Sequence, residues 1–163
     1  MTDRLVVMEV TRLEAAHLVG LVGQFAELLR DSAPDDRDPA ILRLVPPAYD
    51  DEEAAREFRA LTRGDLLDRR ASDAELVLAS LQDAARISGD PDDPALLEQV
   101  EIRLAPETAR AWLRTLAAVR LVLAIRLGVA DEDDHEYDDP RFGVYDWIGY
   151  RLEGLVAALE GEG

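Results

Sequence analysis

The stretch Pro106–Val129, PETARAWLRTLAAVRLVLAIRLGV, decides how this chain is read. Proline in the first turn, with Glu107 beside it, suits a helix N-terminus: the missing N–H has no partner there anyway, and a carboxylate complements the helix dipole. Gly128 suits the other end, where chains commonly turn into the left-handed region. At about 100° per residue Ala109, Trp112, Leu116, Val119, Leu123 and Leu127 fall on one narrow face. In the second half Leu121, Val122 and Ile125 cover the back as well, and a helix apolar all round is normally buried at a domain centre. The segment is read as the core helix.

Working outward, Val100–Leu104 alternates cleanly, with Val100, Ile102 and Leu104 on one side and Glu101 and Arg103 on the other, which predicts a strand. Arg4–Val10 predicts a second, with Val6, Met8 and Val10 on one face. Each strand leads into a helix. After the first, Thr11 and Glu14 form a capping box. The helix that follows runs to about Arg30 on the face Ala15, Leu18, Val22, Phe25 and Leu29. Gly20 and Gly23 lie away from that face and cost helix propensity unless a neighbour packs close to them.

Shifting the sequence by 94 places Val6 on Val100, Met8 on Ile102, Val10 on Leu104, Ala15 on Ala109 and Leu18 on Trp112. A two-stranded sheet joining the two units is favoured, because a lone strand would leave its backbone groups unpaired. Between them, Leu42–Val45 is a short apolar run stopped by Pro46-Pro47. A helix opens near Asp50 and Glu53 with Ala54, Phe58 and Leu61 as its stripe. Another opens at Thr62 and Asp65 with Leu67, Ala71, Ala74, Val77, Leu78, Leu81 and Ala85. A last helix spans about Pro140–Glu160. The prediction is a mostly α (α+β) fold: one helical domain over residues 1–163, about five helices with a small two-stranded sheet, in the order β-α-α-α-β-α-α. Loops are expected at 31–49, 88–98 and 131–139. The order lacks the βαβ alternation and glycine-rich turn of a nucleotide-binding fold.

Composition narrows function. A chain of 163 residues with 48% hydrophobic and 33% charged residues has the make-up of a globular protein. No apolar run approaches the ~20 residues that span a bilayer, and the first ten residues lack the features of a signal peptide. Cysteine is absent, which excludes disulfides, thiolate nucleophiles and Cys-based zinc sites. A cytoplasmic location is expected. The net charge of −17 opposes direct binding to nucleic acid or anionic lipid, whose phosphates need basic residues. All 18 basic residues are arginine.

Three constellations stand out. In the last helix Val144, Tyr145, Ile148, Leu152, Leu155, Val156 and Leu159 form the apolar stripe, while Trp147 and Tyr150 lie off it, and Asp146 sits between Tyr145 and Trp147. Either this helix is sandwiched in the core, with Gly143, Gly149 and Gly154 admitting close neighbours, or Trp147, Tyr150 and Asp146 mark a protein interface, where aromatics are enriched. Arg120 and Arg126 sit in an apolar run and need a partner, because an unpaired buried charge is costly. Asp146 is the candidate. The three make either a buried ion pair or, with Tyr150, a pocket for an anionic group. The run DEDDHEYDD at 131–139 lacks the glycine and terminal glutamate of a calcium loop, and a solvated linker is expected. No metal and no cofactor are implied. With no Cys and only His17 and His135, neither in a catalytic motif, the chain does not read as an enzyme.

Leu44-Val45-Pro46-Pro47-Ala48-Tyr49, Glu57-Phe58-Arg59 with Leu61-Thr62, Arg120-Leu121-Val122-Leu123 with Arg126-Leu127-Gly128, and above all Val144-Tyr145-Asp146-Trp147-Ile148-Gly149-Tyr150 resemble, in order, an actinobacterial family of unknown function. The resemblance implies a gene neighbourhood that includes the protease adaptor ClpS and cysteine-synthesis genes, and some members carry a transcriptional-regulator label. It implies no catalytic or binding residues. The expected function is a non-enzymatic adaptor or regulator whose partner is a protein, one with a basic surface being favoured by charge. Self-association through open sheet edges, and regulation of transcription through protein contacts, are further expectations. The alternative is an anion sensor or enzyme at Arg120, Arg126 and Asp146.

Overall fold

A computed structural model describes residues 5–31, 38–44, 53–128 and 143–160. In chain order these form β1 (Val6–Thr11), α1 (Arg12–Asp31), α2 (Pro39–Leu44), α3 (Glu53–Leu81), a short 3-10 turn at Pro94–Leu97, β2 (Gln99–Leu104), α4 (Pro106–Leu127) and α5 (Gly143–Glu160). Five helices and a two-stranded sheet in the order β-α-α-α-β-α-α match the expected α+β fold. Pro46-Pro47 and the acidic run 131–139, with His135, lie outside the described residues, as do the side chains of Ala54, Phe58 and Leu61.

The middle of the chain is divided differently from the reading above. Residues 53–81 are one helix rather than two, and the run before Pro46 is helical over Pro39–Leu44. No proline interrupts Glu53–Leu81, and the single interior Gly64 costs only about 1 kcal/mol, too little to break a helix whose Leu67, Ala74, Val77 and Leu81 are all buried. A cap-like pair such as Thr62 and Asp65 permits a helix start without forcing one.

The strands pair antiparallel, from Val6 opposite Leu104 to Thr11 opposite Gln99. Val6, Met8, Val10, Ile102 and Leu104 line the inner face and are shielded, as the alternation requires. At the β1–α1 junction Thr11 Oγ1 accepts from Glu14 N–H at 3.0 Å and Glu14 Oε1 accepts from Thr11 N–H at 3.5 Å, which is the capping box. The α1 face of Ala15, Leu18, Val22, Phe25 and Leu29 is buried throughout.

Helix α4 touches each of the other four helices and β2, so it is the core helix. Gly128 closes it at φ 75°. Its burial, however, is the reverse of what the all-round apolar pattern suggests. Ala109, Ala111, Trp112, Thr115, Leu116, Ala118 and Val119 are buried, whereas no residue from Arg120 to Leu127 is, and Leu121 is 37% exposed. The first half runs along α3, with Trp112 on Ser80 and Arg114 on Asp73. The second is flanked by α5, through Tyr145 on Leu123, Ala124 and Leu127, and by the start of α2.

Candidate functional site

The last helix meets the sheet at its open side, and one carboxylate joins them. Glu14, already part of the capping box, accepts through Oε2 from Trp147 Nε1 at 3.2 Å and from Arg151 Nη2. Arg151 Nη1 also donates to the Glu9 carbonyl at 3.2 Å, and its guanidinium lies 5.7 Å from the Tyr150 ring centroid. Burial works to raise the Glu14 pKa, but the hydrogen bond and charge of Arg151, with the bonds from Trp147 and Thr11, outweigh it and hold the carboxyl below its ordinary value.

Strand register shows which backbone groups are left over. Arg12 N–H donates to Glu98 C=O at 3.1 Å, continuing the ladder by one pair. Antiparallel pairs alternate between bonded and non-bonded, so positions 6, 8 and 10 turn their N–H and C=O to β2, and 7, 9 and 11 turn theirs to the free edge. Two free-edge groups are accounted for, Thr11 N–H by Glu14 and Glu9 C=O by Arg151. Alongside runs a groove of about 480 Å³ whose one wall is Val6–Glu9 and whose other is α5 from Tyr150 to Ala158. Val6, Met8 and Leu155 form its apolar floor, and of the other lining residues Tyr150 and Val7 are 68% and 51% exposed.

The residues singled out in sequence are thus distributed. Tyr150 is exposed, while Trp147 is half-buried against the core and bonded to Glu14. Asp146 is half-buried in the first turn of α5. Arg126 makes a two-pronged contact with Asp38, at 2.9 and 2.7 Å. Asp38 in turn accepts from Ala40 N–H at the start of α2, and the Arg126 hydrogen bond holds its pKa low. Arg120 stacks 4.2 Å from the Tyr145 centroid, and Arg120 and Arg126 line neither the β1–α5 groove nor the void bordered by Arg70, Thr115 and Arg114. His17 is exposed on α1. Among the described residues no group of three or more His, Asp or Glu is placed to hold a metal ion, and no helix is long and apolar enough to cross a membrane.

Glu14, Arg151, Val7 and Gly154 were not marked as site residues by sequence. The available signal was Leu5 and Val7, apolar residues on the outer face of a strand whose inner face is already apolar.

The glycines of α5 differ in what surrounds them. A Cβ on Gly149 would lie 3.1 Å from Arg120 Nε and 3.3 Å from its Cζ, whereas one on Gly154 or Gly20 meets nothing within 4 Å. Gly20→Ala and Gly154→Ala are each expected to raise stability by about 1 kcal/mol, because alanine removes the entropic cost of a helical glycine. Gly149→Ala is expected to lower it, since Tyr145 backs the guanidinium that would have to move. Urea melts of the three variants check this ordering.

Fold and site together define an acidic, mostly helical protein with an open groove at the edge of a two-stranded sheet. The model of the family described as a domain of unknown function, DUF2017, matches residues 1–159, and the chain belongs to that family. No curated protein and no solved structure matches it.

Proposed function

We propose that this chain is a non-enzymatic interaction protein, an adaptor or regulator, and that the groove between β1 and α5 is its contact surface. The observation that carries the reading is the groove itself, about 480 Å³ with an apolar floor and exposed Tyr150 at its wall. Aromatic side chains beside a partly formed pocket are the usual anchors of protein contacts. Tyr150 is the anchor and Trp147, bonded to Glu14, holds the helix that presents it. The net charge of −17 steers basic partners towards the chain. Residues 1–163 act as one helical unit in the cytoplasm, and the resemblance to a family encoded beside ClpS agrees with an adaptor or regulatory role.

A photo-crosslinking phenylalanine at Tyr150 tests this, with the same group at Leu76, an exposed apolar site on α3, as control. The expected result is a discrete adduct from position 150 and none from 76, lost when Gly154→Trp fills the groove. Gly154 is exposed and a Cβ there meets nothing within 4 Å, so the larger side chain starts from open space and that variant should fold. Equal labelling from both positions, or an adduct indifferent to Gly154→Trp, would sink the reading.

A further inference from the structure

We infer that the groove takes an extended, basic segment of a partner protein, which adds to β1 as a third strand; this deepens the interaction reading above and rests on it. Three observations converge. The first is backbone chemistry: Val7 turns both N–H and C=O to the free edge, and Glu9 turns its N–H there too, with no group among the described residues bonded to them. An unpaired edge is a template for another strand, and natural proteins usually blunt it. Here Arg151 caps only the Glu9 carbonyl.

The second is shape. Four consecutive residues of β1, Val6–Glu9, form one wall and α5 stands across from them. Four strand residues extend about 13 Å, so the slot accepts an extended segment of about four or five residues. A second copy of this chain fits poorly, because its own β1 carries its own α5 into the same gap, and two chains of −17 would be brought together.

The third is charge. The lining carboxylates Glu9 and Glu153 are exposed, while the lining cation Arg151 is spent on Glu14 and the Glu9 carbonyl. Glu9 also stands directly opposite Glu101 in the sheet, where like charges repel, a repulsion that Arg103, 3.6 Å from Glu101, offsets in part. A lysine or arginine on the outer face of an added strand would relieve both. Its inward side chains would meet Val6, Met8 and Leu155. The recognised pattern is therefore alternating apolar and basic residues, main-chain bonds giving affinity and alternate side chains giving selection.

The probe is a fluorescent octapeptide alternating lysine and valine, with two further versions N-methylated at every second residue in opposite phases. Added as a strand, one phase turns its methyl groups to β1 and the other to solvent. The expected result is binding that drops about tenfold or more for one phase and little for the other, a similar drop for a Glu/Val peptide, and weakening with salt. Val7→Pro removes an edge N–H that no ladder bond uses, and edge strands tolerate proline; it should abolish binding while the melt is kept. The N-methyl pair needs no variant, so a Val7→Pro chain that fails to fold leaves that test intact. Equal loss in both phases, equal binding of the Glu/Val peptide, or binding that survives Gly154→Trp would overturn strand addition. A dimer that Val7→Pro dissolves, with no peptide bound, would give the edge to a second copy. If the Tyr150 crosslink persists in Val7→Pro but is lost in Gly154→Trp, the groove remains the contact surface and strand addition alone fails.

Discussion

Trp112→Ala is expected to cost about 3–5 kcal/mol, the range for removing a fully buried aromatic from a packed core. The side chain is 0% exposed, in the half of α4 that runs along α3. Its indole N–H donates to Ser80 Oγ at 2.7 Å, and that hydroxyl donates onward to the Val77 carbonyl at 2.7 Å. Truncation therefore opens a cavity and strips the hydroxyl of one partner in a single step. A chain of this size is ordinarily stable by only about 5–15 kcal/mol, so about a fifth or more of the total is at stake. At about 2–4 °C per kcal/mol the melting temperature should fall by roughly 6–20 °C. Two companions separate packing from polarity. Trp112→Phe keeps most of the volume and should cost less than half as much. Ser80→Ala leaves the indole N–H buried without an acceptor, at about 1–3 kcal/mol. Thermal melts of the three variants are the check, and an alanine variant within about 1 kcal/mol of wild type would show that this half of α4 is not the core.

The same tryptophan shows what was legible in sequence. Ala109, Trp112, Leu116 and Val119 recur at helical spacing and are buried, and Val100, Ile102 and Leu104 alternate and face inward as a strand should. Pairing of the two strands followed from the need to satisfy their backbones, and the Thr11–Glu14 box followed from residue spacing. Periodicity identifies an apolar face but not what covers it. For that reason Arg120–Leu127, apolar on every side, turned out the less covered half of α4. Long-range polar pairing was equally out of reach: Arg126 finds Asp38, 88 positions away, and no local spacing distinguishes that acid from the other 34. The groove is a harder case still. It is made from Val6–Glu9 and Tyr150–Ala158, and its free-edge groups are known only once strand register is known.

Glu14→Ala is expected to cost about 2 kcal/mol, between the small worth of exposed ion pairs and the larger loss on breaking buried ones. Its side chain is 27% and that of Arg151 18% exposed, which places the pair between those limits. The loss should not be spread evenly. Glu14 is the acceptor shared by Trp147, Arg151 and the capping box, so its removal leaves both α5 donors without their carboxylate. Hydrogen exchange should speed up across Gly143–Glu160 far more than in α3. Arg151→Lys should loosen α5 too, because an ammonium lacks the planar fork that spans Glu14 and the Glu9 carbonyl. The pH dependence has a definite sign. A carboxyl whose folded pKa is depressed contributes its stabilisation above the unfolded value, about 4.3, and loses it as pH falls through the lower folded value. The stability gap between wild type and Glu14→Gln should therefore be full at neutral pH and close in acid. Peptide binding should fall in Glu14→Ala although Glu14 does not line the groove, since the wall carrying Tyr150 is no longer held against β1. A Glu14→Ala chain that melts like wild type and keeps α5 protected would mean that Tyr145, Ile148 and Leu155 dock the helix by burial alone. The groove would then owe its shape to packing, and the carboxylate only to the cap of α1.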